Sequence, residues 1–236
     1  MASRIENGLE LTGRVVGKAF VEPSLRLARE RTKSFQVYLR GVEVLQQFKD
    51  RPFLIAANHI KPTNSIALSP DAFIIKQIIL EETGQKIRTV SSSDISWQAT
   101  NGILQSLSHR FTRGVVKGAG EVPTYRDSNS MNRNLLSEIA RVVAKGDSVL
   151  IFPQGEWFND FDPTRKFHNG AARMAIQEDL PIIPLYIHGC NSWQKRTRVE
   201  LVFGEPIDPM GKSVSEITDL IRERVTNAQM QFKSHL

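Results

Sequence analysis

A chain of 236 residues with 40% apolar and 24% charged content can bury one sizeable core and has an ordinary globular composition. It holds no low-complexity tract, no internal repeat, and no run near the roughly 18 uncharged apolar residues that span a bilayer, which excludes disordered, fibrous and helical membrane-spanning classes. A net charge of +6 and a pI of about 9.6 favour an anionic partner, and the single cysteine, Cys190, excludes an intrachain disulfide and fits a reducing compartment.

The first residues, Met-Ala-Ser-Arg-Ile-Glu-Asn, lack the apolar core of a secretory signal, so a cytoplasmic location is expected. Residues 8–31 read as helical, with a break at Pro23. Between Arg14 and Lys33, the cations Arg14, Lys18, Arg26, Arg29, Arg31 and Lys33 stand against only Glu22 and Glu30, and across the helical stretch Leu9, Val15, Val16, Ala19, Phe20, Leu25 and Leu27 supply apolar material. A basic amphipathic helix pair lies in an anionic membrane interface or packs on the domain it precedes, and the sequence leaves both open.

Residues 35–39 alternate as a strand does and end near Gly41; residues 54–57 are continuously apolar, as in a strand buried on both faces. Residues 71–82 read as a helix with the stripe Phe73, Ile74, Ile78 and Ile79, and Asp71 in its first turn after Pro70. A strand at 86–90 and a helix at 99–113 closed by Gly114 follow, then a helix at 131–144 stopped by Lys145-Gly146. Residues 149–152 form a second buried strand with a sharp exit. Beyond it come a short helix at 170–178, strands at 182–187 and 199–203, and Val214, Ile217, Leu220, Ile221 and Val225 at helical spacing. Alternating strands and helices predict an α/β fold: a single domain with a largely parallel mixed sheet flanked by helices, plus an N-terminal helical extension. The expected division is 1–34 for the extension and 35–236 for the domain.

The apolar run at 53–57 stops at Asn58-His59, which places a histidine at the open edge of a sheet, where α/β proteins carry their chemistry. Histidine titrates near neutral pH and can take a proton from an alcohol if a carboxylate fixes its tautomer. The candidate carboxylates are Asp71, which ends an eleven-residue gap, and Asp94 in Ser91-Ser92-Ser93-Asp94.

Three further motifs follow at predicted strand ends: Gly120-Glu121-Val122-Pro123-Thr124-Tyr125-Arg126-Asp127, Ile151-Phe152-Pro153-Gln154-Gly155, and Leu180-Pro181-Ile182-Ile183-Pro184-Leu185. With Asn58-His59 and Asp71 they resemble the glycerolipid acyltransferase family, whose best-known members acylate lysophosphatidic acid. That family carries His-x4-Asp, Gly-x-Ile-Pro-x-x-Arg, Phe-Pro-Glu-Gly-Thr-Arg and a Val-Pro-Val-type strand, and the likeness extends from about Phe35 to Ile207. The resemblance implies transfer of a fatty acyl group from acyl-CoA or acyl carrier protein to a lysophospholipid or glycerol-phosphate-like acceptor. His59 would be the general base and Asp71 its partner. Arg126 would hold the acceptor phosphate, with Asn58, Phe152, Pro153, Gln154 and Gly155 completing the substrate site. No covalent acyl-enzyme is implied, and no Gly-x-Ser-x-Gly elbow is present.

The chain departs from the family twice. The gap has eleven residues instead of four, so that residues 61–67 are expected to bulge as a loop. Gln154, Glu156 and Trp157 stand where the family has glutamate, threonine and arginine. The lost arginine predicts altered acceptor recognition, a charge supplied by Arg165 or Lys166, an acceptor without phosphate, or a catalytically weakened lipid- or membrane-binding homologue. No cofactor is expected beyond the acyl thioester, and no metal, since the histidines lack ligand spacing. Expected partners are the acyl-thioester donor, the lysolipid-like acceptor and, through the N-terminal helices, the inner face of a membrane. Nucleic acid is not expected, for no binding motif accompanies the charge.

Overall fold

Leu54–Ala57 is buried at every position because a strand flanks it on each side. The computed structural model describes residues 7–19, 23, 30, 33–63, 70–92, 102–124, 129–192, 194 and 196–234. They fall into two compact units, Ala28–Ile87 with Ala140–Leu236, and Met1–Leu27 with Arg88–Ile139.

In the first unit, β1 (Gln36–Arg40), β7 (Arg198–Phe203), β6 (Ile182–His188), β2 (Leu54–Ala57) and β5 (Ser148–Ile151) lie side by side in that order. All neighbours are parallel except β6 and β7, which pair antiparallel with Leu185 opposite Phe203 and His188 opposite Glu200. The sheet is therefore the largely parallel, mixed one expected. Alternation sends Phe53, Ile55, Ala57, Ile183, Leu185, Ile187, Val199 and Leu201 into one apolar cluster with Leu45 and Phe48 of a 3₁₀ helix (Val42–Phe48) and with Ile74, Ile75, Ile78 and Ile79 of α2 (Pro70–Thr83). The other face meets α5 (Gly170–Glu178) and α6 (Val214–Lys233), where Tyr186 lies against Phe161 and Phe232. Each fully buried Leu, Ile or Phe here stabilises the unit by roughly 1.5–3 kcal/mol.

α6 opens with a capping box: the Ser213 hydroxyl accepts from the Glu216 N–H (3.2 Å) and the Glu216 carboxylate from the Ser213 N–H (2.7 Å). It runs two turns past the expected end at Val225, because Ala228, Gln229 and Phe232 are still buried. The Gln229 amide, donating to the Phe161 carbonyl (3.1 Å), hides that contact behind a polar residue type.

The second unit holds α1 (7–19), α3 (Gly102–Gly118), the parallel strands β3 (Ile87–Ser92) and β4 (Val122–Thr124), and most of α4 (Asn129–Val143). α1 and α3 cross at glycines spaced four apart on each helix, Gly13 and Gly17 against Gly114 and Gly118. A β-carbon on any of them would clash with a carbonyl oxygen of the other helix: Phe111, Val115, Glu10 and Arg14 respectively. Small residues at this spacing let two helix backbones touch. This corrects the expected stop at Gly114: α3 runs on to Gly118 because Gly114 serves contact with α1, not termination. Ion pairs rim the crossing, Arg14–Glu10 at 2.7 Å and Lys117–Glu138 at 2.6 Å, while Leu11 and Val15 stand exposed. Continuation of the N-terminal helix through residues 24–29 lies outside the described residues.

Candidate active site

The end of β2 decides where His59 points. Asn58 is buried, and its amide donates to the Ile187 carbonyl (3.0 Å) and accepts from the Ile187 N–H (2.8 Å). A side chain thus replaces the backbone ladder to β6 just where the strand ends. His59 follows at the exit, and its carbonyl accepts from the Phe158 N–H (3.1 Å).

Asp71 sits in the first turn of α2 with no exposed surface. One carboxylate oxygen lies 2.7 Å from His59 Nδ1 and accepts from the Ile60 N–H at 2.9 Å; the other accepts from the Ala72 N–H at 2.6 Å. These donors suit an ionised carboxylate. The nearby Cys190 thiol is pushed well up by burial, and the Asp71 charge pushes it further, so it is an inert core residue. Of the two carboxylates considered from sequence, Asp71 is the one beside His59; Asp94 lies outside the described residues.

Two aromatic rings complete the surroundings of the imidazole. Phe152 stacks on it with centroids 3.8 Å apart and planes 12° from parallel. Trp157 meets it edge-on at 5.5 Å, with the indole N–H donating to His59 Nε2. Indole nitrogen only donates, so Nε2 carries the lone pair and Nδ1 the proton, which goes to Asp71. That is the tautomer a general base needs.

Pro153, Gln154 and Gly155 form the turn after β5. The Gly155 N–H donates to the Phe152 carbonyl (2.9 Å), the His168 N–H donates to the Pro153 carbonyl (2.8 Å), and Gly155 takes φ +70°, which favours glycine. Gln154 is buried. Its amide N–H donates to the Asp162 carbonyl (2.9 Å), and its amide oxygen has no hydrogen-bond partner among the described residues. Hydrogen bonds from Thr164 hold the Asp162 carboxyl below the usual range, and Arg165 approaches it at 3.5 Å while lying 5.3 Å over the Phe158 ring. Lys166 is exposed. Arg126 lies outside the described residues. In its motif, Gly120 has φ +74° and the Glu121 carboxylate accepts from the Thr89 N–H at 2.6 Å.

The structure thus gathers His59, Asp71 and Phe152 around one imidazole and turns the Asn58 side chain into the sheet. Sequence reasoning passed over Trp157 as a contact of the histidine. The available signal was an aromatic residue two positions after Gly155, where a cation was expected.

A model of the acyltransferase family matches residues 36–188. No curated protein matches the chain. Among solved structures, the chain is similar to the 1-acyl-sn-glycerophosphate (LPA) acyltransferase PlsC from Thermotoga maritima, with a TM-score of 0.51 at 16% identity over 91% of this chain and 78% of that one. The likeness to PlsC is one of fold, and the family match covers well over half the chain, so the chain belongs to the acyltransferase family.

Proposed function

We propose that the protein transfers a fatty acyl group from acyl-CoA or acyl carrier protein to a hydroxyl of a lysophospholipid or glycerol-phosphate-like acceptor. One observation carries the reading: a buried carboxylate, Asp71, lies 2.7 Å from His59 Nδ1, so that the ring donates to it from Nδ1 and keeps the lone pair on Nε2. The acceptor hydroxyl gives its proton to Nε2 as its oxygen attacks the thioester carbonyl. The C–S bond then breaks, and the imidazolium returns the proton to the leaving thiolate. Asp71 stabilises the imidazolium throughout, since its carboxylate is buried and lies against the ring. Positioned base catalysis of this kind contributes about 10²–10⁴-fold. With an acyl-CoA and lysophosphatidic acid, His59→Ala is expected to lower product formation by that factor; a variant as active as the parent defeats the mechanism.

A second acceptor class is favoured by the uncharged Gln154 and by Trp157 in the family's arginine position. A hydroxyl acceptor without phosphate, such as a monoacylglycerol, needs no guanidinium there. Comparing it with lysophosphatidic acid against one donor decides between them.

The acceptor is reached at the cytoplasmic face of a membrane, through α1. Leu11 and Val15 are 63% and 64% exposed beside the exposed Arg14 and Lys18, an apolar strip edged with cations. No helix among the described residues is long and apolar enough to cross a membrane. The double variant Leu11→Asp/Val15→Asp is expected to stay in solution when anionic liposomes float; unchanged flotation refutes the contact.

A further inference from the structure

Three observations about Trp157 go beyond acyl transfer itself. Its indole N–H occupies His59 Nε2, the atom that must accept the acceptor's proton. The next residue's backbone is pinned: the Phe158 N–H donates to the His59 carbonyl (3.1 Å), the Lys61 N–H donates to the Phe158 carbonyl (2.8 Å), and Ile60 and Phe158 form a parallel bridge. The Trp157 side chain is nonetheless 48% exposed, so the ring has solvent to rotate into while the neighbouring backbone stays in place.

We propose that Trp157 is the residue that reserves the base for the acceptor: its indole stands in for the acceptor hydroxyl on Nε2, keeps water off, and is displaced by a bound acceptor. The proposal rests on the reading of His59 as the base. The alternative to transfer is futile hydrolysis. A water oxygen bonds to the thioester carbonyl carbon, its proton passes to Nε2, the C–S bond breaks, and the imidazolium protonates the thiolate, giving free fatty acid and thiol. The small, ubiquitous competitor is excluded by a side chain that an amphipathic acceptor can push aside with the binding energy of its own chain. Among the described residues, stacked Phe152 covers one face of the imidazole, the Asp71 contact occupies Nδ1, and the Trp157 edge covers Nε2.

The cap lowers the fraction of protein ready to receive acceptor, and removing it raises apparent affinity by the same factor. A net hydrogen bond of about 0.5–1.5 kcal/mol sets that factor at roughly two- to tenfold. Trp157→Phe, which keeps the ring and removes the donor, is therefore expected to lower KM for lysophosphatidic acid two- to tenfold, with the change in KM rather than in kcat. Trp157→Ala, which opens the path, is expected to raise acceptor-independent thiol release from an acyl-CoA about tenfold.

A third measurement needs neither substrate. Carbethoxylation of the full-length protein by diethyl pyrocarbonate, mapped by mass spectrometry, should be slow at His59 and fast at exposed His168 and His188. It should rise about tenfold at His59 in both Trp157 variants. Equal His59 reactivity in parent and variants, or a fall in kcat with KM and hydrolysis unmoved, overturns the proposal. The double variant Trp157→Ala/His59→Ala separates the two readings. Loss of the extra hydrolysis assigns it to His59. If hydrolysis persists, His59 is not the base, while the carbethoxylation rates still report whether Trp157 covers it.

Discussion

The end of β2 and the α1–α3 crossing solve opposite problems. At the strand end, polar groups are gathered and each is given a partner: Asn58 to Ile187, Asp71 to Ile60, Ala72 and His59, and His59 to Trp157. At the crossing the side chains are removed altogether, so that carbonyl oxygens of one helix meet α-carbons of the other. The first arrangement is sensitive to charge and donor–acceptor identity and the second to volume. Substitutions that respect size but change polarity should therefore damage only the first, and single methyl groups only the second.

The largest effect is expected from Asp71→Asn. The shape is kept, but an amide can present its NH₂ to Nδ1 and so favour the tautomer with the proton on Nε2, which cannot act as a base. A loss of about 10²–10⁴-fold in kcat is expected, with the circular dichroism spectrum unchanged. The downfield Nδ1–H proton resonance should disappear. Activity within tenfold of the parent would mean that the strand-end network is structural.

A smaller effect, in stability, is expected at the crossing. Gly114→Ala adds one methyl against the Glu10 carbonyl and is expected to destabilise by about 1–3 kcal/mol through overpacking. Gly8→Ala, on the same unit with open space around it, should be neutral or slightly stabilising. Thermal melting and amide exchange over 7–19 compare the two. Equal melting temperatures for both variants would show that the helices do not need the close approach.

Asn58→Ala tests whether a polar residue next to the base belongs to the chemistry or to the sheet. Removing the amide strands the Ile187 N–H and carbonyl, at a cost of about 1–3 kcal/mol, while kcat for the folded fraction should change less than tenfold. A large loss of kcat with the melting temperature kept would move Asn58 to the catalytic side of the comparison.

The same contrast explains what could be read in the sequence. Strands β2, β5 and β6 were legible because burial on both faces of a parallel sheet leaves runs such as Leu54–Ala57 with no polar position. The order of the motifs, and hence the family, was legible because each motif stands on or at the end of a strand. The start of the next helix at Asp71 was legible, but the distance from His59 to Asp71 was not, because eleven intervening residues do not say how far the chain travels before it returns; α2, opening at Pro70, brings the carboxylate back. Nor was the approach of Trp157, which depends on a bridge between Ile60 and Phe158, residues far apart in the chain. The glycine pairs at 13 and 17 and at 114 and 118 were visible as spacing, but a glycine near an expected helix end reads as a stop until its partner helix is known.

The smallest expected effect lies at the rim of the crossing, where the chain does use charge. Burial alone would raise the Glu10 carboxyl, but the Arg14 hydrogen bond and the charges of Lys117, Arg113 and Arg14 outweigh it and hold the group below its ordinary value of 4.5. A depressed folded pKa contributes stability above the unfolded value, and that contribution is lost as pH falls through the folded one. The pair is partly exposed, so Glu10→Gln should cost only about 0.2–1 kcal/mol at pH 7, and less in high salt. Parent and variant should converge as the pH falls below the depressed value, since both then carry a neutral group there. A difference that persists in acid would mean that Glu10 acts through its hydrogen-bond geometry, and that the crossing is sensitive to donor identity in the way the strand end is.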